Sequence, residues 1–376
     1  AADEKRRALG SKEGQQEVCD WFFPAATARG YELNIVTEIW DVLRAFASFG
    51  FCKAHAAAFA LPTYQSAYLK THHPAAFIAG VLTHDPGMYP KRLMIDEARQ
   101  LGVGLAPLDI NYSGQQYTVE RDEKGGDHVR IALTSVSGIS DKEVTSIIAG
   151  RPYIDLSDFY RRSGASHPVI ETLILTGAFD RVHSLSDGAI NHRDLLLHLS
   201  DLTRSPVATV AGSQMVFGFA PPDLAASGLP PMGASEKVRN EVERLGMDIT
   251  HHMLEFYAPF LNAIGAVKSS DLLSLRSQSE VLIAGIKVAM QTPPVRSGRR
   301  VIFLTLDDGY GCTDSTFFSG AQEGFASTLY GSSILLVRGK TRRTGDRGIS
   351  INASGAWDLR QAYEKWSRKL LETAAK

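Results

Sequence analysis

The last third of the chain carries the tightest constraint on its fold. Val281–Val288, Val301–Leu306, Thr313–Phe318, Ile334–Arg338 and Gly348–Ala353 are short β-rich runs, each closed by turn residues. Five such runs within roughly 80 residues are too few for a sandwich of seven or more strands and fit a small closed barrel of the OB type. A helical pattern, Leu359 to Ala374, follows the last run.

Upstream the period changes from two to 3.6. Ile35, Ile39, Trp40, Leu43, Phe46 and Ala47 fall on one helical face, and an Ala-rich stretch from Ala54 to Leu82 contains Pro62 and Pro74 as expected helix starts or breaks. Lys91 to Leu101 reads as a further amphipathic helix closed by Gly102. Tyr117-Thr118-Val119 and the charged turn Arg121 to Asp127 then predict a β-hairpin, with helices resuming at Asp141–Ala149 and Val169–Thr176. Residues 201–235, rich in Pro, Gly, Ala and Ser, read as a linker, and a solvated helix runs from about Glu236 to Leu245. The fold class expected is therefore multidomain α+β: a mostly helical lobe, a helix-hairpin-helix module and a C-terminal OB-type barrel.

Composition excludes little. The 376 residues have a formal net charge of -1, which argues against coating nucleic acid by bulk charge but leaves local basic patches open. The three cysteines, Cys19, Cys52 and Cys312, are too few and too scattered for a disulfide framework or a zinc site. With no signal peptide or membrane-spanning apolar run, a cytoplasmic location is expected. The chain opens on Ala1 inside a charged helical pattern, as a fragment of a longer protein would.

Several clusters could carry chemistry. Arg6 and Arg7, within Lys5–Lys12, could offer bidentate contacts to a triphosphate; a solvated basic face is the plainer alternative. Lys53 and His55 follow a Gly50 turn at the head of a small-residue helix, where a phosphate could be met; tight helix packing is the alternative. Val136-Ser137-Gly138-Ile139-Ser140 reads as a hairpin turn whose amides could meet a DNA phosphate, or as a plain N-cap at Ser140. Gln214-Met215-Val216-Phe217, in the linker, could dock as a short peptide or staple to a neighbouring domain. Around the barrel, Arg296, Arg299 and Arg300, then Arg338, Lys340, Arg342, Arg343 and Arg347, suit a basic groove for single-stranded DNA, with Phe303, Phe317 and Phe318 nearby. Of these aromatics Phe303 is expected to pack inward.

At this point a family resemblance emerges. "RRALGSK" at Arg6–Lys12 and "IWDVLRAFASFGFCKAHAAAFALPTYQSAYLKTHHPAAFIAGVLT" at Ile39–Thr83 closely resemble the fingers region of C-family bacterial DNA polymerases, the polymerase III alpha subunit group. The likeness continues in order through "LAPLDIN", "GAFD", "ERLGMDITHHML" and "FLTLDDGYG". The Ala-rich form of the second element and the short C-terminus look most like the error-prone branch.

The resemblance implies a DNA-templated DNA polymerase serving replication or error-prone repair, with this chain as its C-terminal part. Arg6 and Arg7 match the arginines that grip the incoming dNTP, and Lys53 and His55 match the Lys-x-His of the same pocket. Ser140 stands where the family's hairpin carries its second glycine, a departure that leaves the depth of phosphate approach open. Gly177–Asp180 matches a second hairpin element, with Phe179 in the core, and Gln214–Phe217 sits where the sliding-clamp peptide occurs.

The implied domains are the C-terminal part of the fingers (1–108), the hairpin and helix-hairpin-helix region (109–200), the linker (201–235), a helical connector (236–275), the OB-fold (276–358) and a C-terminal helix (359–376). The implied partners are primer-template DNA, dNTP, the clamp and other accessory proteins, with no membrane. No Asp-x-Asp motif occurs in the chain. The Mg2+ of the complete polymerase is therefore expected outside it, with no metal site and no catalytic residue within. The fragment alone is expected to be inactive; the alternative is a non-catalytic DNA-binding or accessory-docking module. Asp307-Asp308 reads as a strand-to-turn acidic pair, and the doublets His72-His73 and His251-His252 lack partners at ligand spacing.

Overall fold

A computed structural model describes residues 12–47, 53–85, 87, 89–204, 223–293, 300–322, 324–345 and 348–374. The chain divides into two compact units, residues 1–72 and 73–376.

Among the described residues, the first unit contains helices Lys12–Thr27, Leu33–Ala47 and Lys53–His72. Val36 and Trp40 form the buried stripe of the second helix, and the Trp40 ring lies 6.0 Å from Phe22 and 6.2 Å from Phe23. Ile35, Ile39 and Leu43, expected on the packed face with Trp40, are instead exposed. Among the described residues the packing on this helix comes chiefly from Lys12–Thr27, and only the edge of the apolar arc carrying Val36 and Trp40 is buried. Pro62 lies inside the third helix rather than breaking it.

The second unit begins with helices Pro74–His84 and Lys91–Gln100, the former opened by its proline as a pre-set φ favours. The expected hairpin forms from β2 (Thr118–Arg121) and β3 (Asp127–Arg130), antiparallel, with Val119 opposite Val129. A third strand, β1 (Gly104–Ala106), joins β3 in parallel. That pairing spans distant residues, and three residues show no readable alternation. Helices Asp141–Ala149, Leu156–Arg162, His167–Leu175, His192–Arg204 and Ala234–Leu245 complete a body whose core contains Ile78, Ile95, Ile131, Phe159 and Phe179. Phe179 is fully buried, as its place in a turn before a helical core required.

The barrel closes as β4 (Glu280–Gln291), β5 (Ile302–Asp307), β6 (Cys312–Phe317), β8 (Gly348–Asp358) and β7 (Ile334–Thr344), with β7 returning to β4. The first three strands meander and the last is parallel to the third, the strand order of an OB-fold. Val281, Ile283, Leu304, Leu306, Phe317, Val337 and Ile351 fill the interior. At Gly339, where β7 shifts register against β8, an added Cβ would collide with the Asn352 carbonyl and lie 2.6 Å from Ile351 Cγ2. A side chain there would hold the bulge open. Helix Leu359–Ala374 docks Tyr363 and Trp366 on Tyr257 and Phe260, at ring distances of 5.1 to 5.8 Å.

Candidate nucleic-acid interface

OB-folds take oligonucleotides on the face of their second and third strands and at the loops joining strands one to two and four to five. On this barrel that face is β5–β6. Phe303 points outward at 45% exposure, opposite Thr316 of β6 and Gln291 of β4, and Phe318, just past β6, is 50% exposed. Phe317 is the inward ring, fully buried. The expectation that Phe303 packs inward is thus overturned by one step of strand alternation: Ile302, Leu304 and Leu306 take the interior positions. One exposed ring thus lies on this strand pair and a second just beyond it, and exposed rings of this kind can stack on bases.

The arginines separate by what holds them. Along β7, Arg338, Lys340 and Arg342 alternate outward, and Arg338 pairs with Glu280 at 3.0 Å. Arg343 is committed to the backbone of the preceding segment: its Nη2 donates to the Leu273 carbonyl and its Nε to that of Leu275 at 3.2 Å. Arg300 is exposed immediately before β5. Arg296 and Arg299 lie outside the described residues.

The hairpin turn is anchored on both sides. Gly138 adopts φ +81 with open space where a Cβ would stand. The Ser137 amide donates to the Arg244 carbonyl at 2.9 Å, and the Ile139 amide to the Val136 carbonyl at 3.2 Å. Ser140 caps the next helix in a reciprocal box: its Oγ accepts from the Glu143 amide at 3.3 Å, while the Ser140 amide donates to Glu143 Oε2 at 2.9 Å. Glu143 Oε1 also accepts from the Ser166 amide at 2.9 Å. Partial burial raises this carboxyl, but the hydrogen bonds from Ser166 and Ser140 outweigh it and hold the group down to about 2. A carboxylate therefore already occupies the helix N-terminus, where a phosphate would be drawn. The Ser-x-x-Glu spacing announced this in sequence.

His55 lies exposed on the first turn of its helix, with its ring 4.5 Å from Phe59. Lys53 is the first residue of that helix. Arg6 and Arg7, like Gln214, Met215, Val216 and Phe217, lie outside the described residues.

One assembly was not legible in the sequence. Asp96, His252 and Asp307, from a helix, a loop and the end of β5, meet in a buried cluster. The His251-His252 doublet lacks partners along the chain, but folding supplies two carboxylates to His252, at 3.8 and 3.6 Å. Asp307 ends its strand as expected, and Asp308 turns the other way to hold Ser269. Arg92 lies 3.5 Å from Asp307 and the cluster is closed to solvent, so it does not fit the metal site of a nucleotidyltransferase. No helix among the described residues is long and apolar enough to cross a membrane.

Comparison with known proteins agrees with both modules. Residues 102–186 match the helix-hairpin-helix motif family, and residues 281–359 match the OB-fold nucleic acid binding domain. A chain with these two modules is of the nucleic-acid-binding class. Over nearly its whole length it is similar to bacterial error-prone DNA polymerases and DNA polymerase III alpha subunits. It is 31% identical to an error-prone DNA polymerase of Symbiobacterium thermophilum over 93% of this chain and 36% of that protein. It is 30% identical to the DNA polymerase III subunit alpha of Vibrio cholerae and 28% to that of Escherichia coli K12, in each case over 98% of this chain. The chain spans 33 to 36% of the length of these relatives.

Proposed function

We propose that this chain is the nucleotide-gripping and DNA-holding part of a DNA-templated DNA polymerase, and that bond formation belongs to residues outside it. The observation that carries this is the outward pair Phe303, on β5, and Phe318, just past β6, with Arg300 exposed before β5 and Arg342 exposed on β7. Stacked bases on the rings and phosphates on the guanidinium groups would hold a single strand without reading its sequence. The hairpin Ser137–Ser140 and the barrel would then engage duplex and single strand respectively.

Arg6, Arg7, Lys53 and His55 would grip the triphosphate of the incoming dNTP, since phosphoryl transfer is catalysed by positioned cationic donors. The Mg2+ of the reaction would be held by carboxylates elsewhere in the complete polymerase, and this chain alone would not extend a primer. Gln214–Phe217 would dock on the sliding clamp. Large apolar side chains left exposed in the first unit, among them Ile35, Ile39, Phe59, Leu61 and Tyr64, support a larger assembly in which they are covered.

Two measurements test the reading. Binding of a fluorescent oligodeoxythymidine should weaken steeply with salt, whereas salt-insensitive binding would favour a protein-docking role for the barrel. Replacing Arg6 and Arg7 together by alanine in the complete polymerase should impair dNTP use. Unchanged nucleotide kinetics would refute the triphosphate role.

A further inference from the structure

Where β5 turns into β6, the barrel borders a cleft of about 320 Å³, away from the Phe303 and Phe318 rings. Its apolar walls are Leu254, Ala258, Leu261, Val267 and Ala284, and its polar lining includes Asn262, Lys268 and Tyr310. Phe303 and Phe318 stand at the open end of the β5–β6 hairpin, whereas Tyr310, half exposed, stands in its turn. At about 3.3 Å per residue, roughly 13 Å of strand separates Phe303 from the end of β5. A single strand laid along the hairpin would therefore reach the cleft.

One carboxylate builds this end of the hairpin. Asp308 Oδ1 accepts the Tyr310 amide at 3.0 Å, the Gly311 amide at 3.2 Å and the Ser269 hydroxyl at 2.6 Å. Its Oδ2 accepts the Ser269 amide at 2.7 Å. The turn and the segment carrying Lys268 are thereby tied together, and the Lys268 ammonium is set 4.1 Å from the centre of the Tyr310 ring. Gly309 approaches the His252 ring so closely that a Cβ would stand 2.8 Å from its Cγ, which seats the turn against that loop. Ring and cation are thus positioned before a ligand arrives, and little ordering is left to oppose binding.

The lining selects a class of ligand. An aromatic ring beside small aliphatic side chains suits a flat group with apolar faces. The Asn262 side-chain amide has no hydrogen-bond partner among the described residues, and an amide offers a donor and an acceptor to the edge of a base. Arg99 is committed to Asp96 Oδ1 and the carbonyls of Asp248 and Ile249, and Glu255 to His251 and the His252 amide. Lys268 has no carboxylate within ion-pair distance among the described residues, which leaves one cation for a phosphate. A triphosphate calls for several positioned cations, whereas a phosphate within a strand needs one. The volume, near the lower limit of about 300–1,000 Å³ for ligand sites, also suits a single nucleoside.

We infer that this cleft receives one unstacked base of single-stranded DNA, with the base against Tyr310, its edge on Asn262 and the adjoining phosphate on Lys268. The site rests on the single-strand role proposed for the barrel and adds to it. Stacking tolerates any base and edge contacts do not, so this is the point at which the barrel would prefer some bases over others.

The test is photocrosslinking of the full chain to a single-stranded oligomer carrying 5-iododeoxyuridine in place of thymidine, followed by mass spectrometry of the linked residues. Tyr310 should be linked as well as Phe303 or Phe318. Ala258→Trp, which fills the cleft from its exposed rim, should abolish the Tyr310 link and leave those at the phenylalanines. By anisotropy, Tyr310→Ala should weaken binding roughly 5- to 150-fold, the effect of one stacked base, and Lys268→Gln should lower the salt slope by about one. Links at Phe303 or Phe318 with none at Tyr310 would overturn the inference and leave the barrel's role standing. Absence of binding and of all three links would remove that role and the cleft's with it. Displacement of the Tyr310 link by equimolar dTTP would also overturn the inference, since the cleft would then be a site for free nucleotide.

Discussion

Glu143 holds the hairpin turn in place and, at the same point, opposes a phosphate, so one substitution should move stability and DNA affinity in opposite directions. Glu143→Gln removes the charge and leaves a single acceptor oxygen for the amides of Ser140 and Ser166. A carboxyl held at about 2 against an ordinary 4.5 corresponds to roughly 3 kcal/mol without solvent, since each tenfold change in proton affinity is about 1.4 kcal/mol. The side chain is only partly buried, and screening by water reduces the expected loss to about 1–2 kcal/mol. The sign follows from a depressed value: the contribution is complete above about pH 4.5 and fades as pH falls toward 2. Denaturant titrations of both proteins at about pH 7 and about pH 3 should therefore give a large difference at the higher pH and a smaller one at the lower. Duplex binding should tighten in the variant if the hairpin meets phosphate. Equal stability at neutral pH, or a difference that grows in acid, would refute the reasoning.

Other substitutions discriminate roles within the barrel. Phe317→Ala should cost about 3–5 kcal/mol and lower the thermal transition of the barrel, because the ring is wholly interior. Gly339→Ala should destabilise by about 1–3 kcal/mol through collision with the β8 backbone, read by the same transition. Arg343→Ala should lower stability by releasing the Leu273 and Leu275 carbonyls, whereas Arg342→Ala should leave stability unchanged and reduce the salt slope of DNA binding by about one.

How far sequence reaches is shown by particular residues. The barrel was legible because alternation and turn residues are local, and Phe317 and Phe303 differ only in which neighbours fix the phase. Reading Phe303 alone misplaces it; Ile302, Leu304 and Leu306 place it outward. Helix positions were readable from period, but which side of helix Leu33–Ala47 is covered depends on how much neighbour is present, and Ile35 and Ile39 are left bare. The capping box at Ser140 and Glu143 was spelled out within four residues. The Asp96–His252–Asp307 cluster was not, because its members are brought together only by docking of the barrel on the helical body, and no local spacing encodes that.

The central claim is that the β5–β6 face of the barrel holds single-stranded DNA by stacking. The direct test is the affinity of the chain for an oligodeoxythymidine after Phe303→Ala and Phe318→Ala together, measured by fluorescence anisotropy at fixed salt. With about 1–3 kcal/mol for each stacked base, affinity should fall by roughly one to four powers of ten while the salt slope is retained. An affinity unchanged by removing both rings would contradict the account.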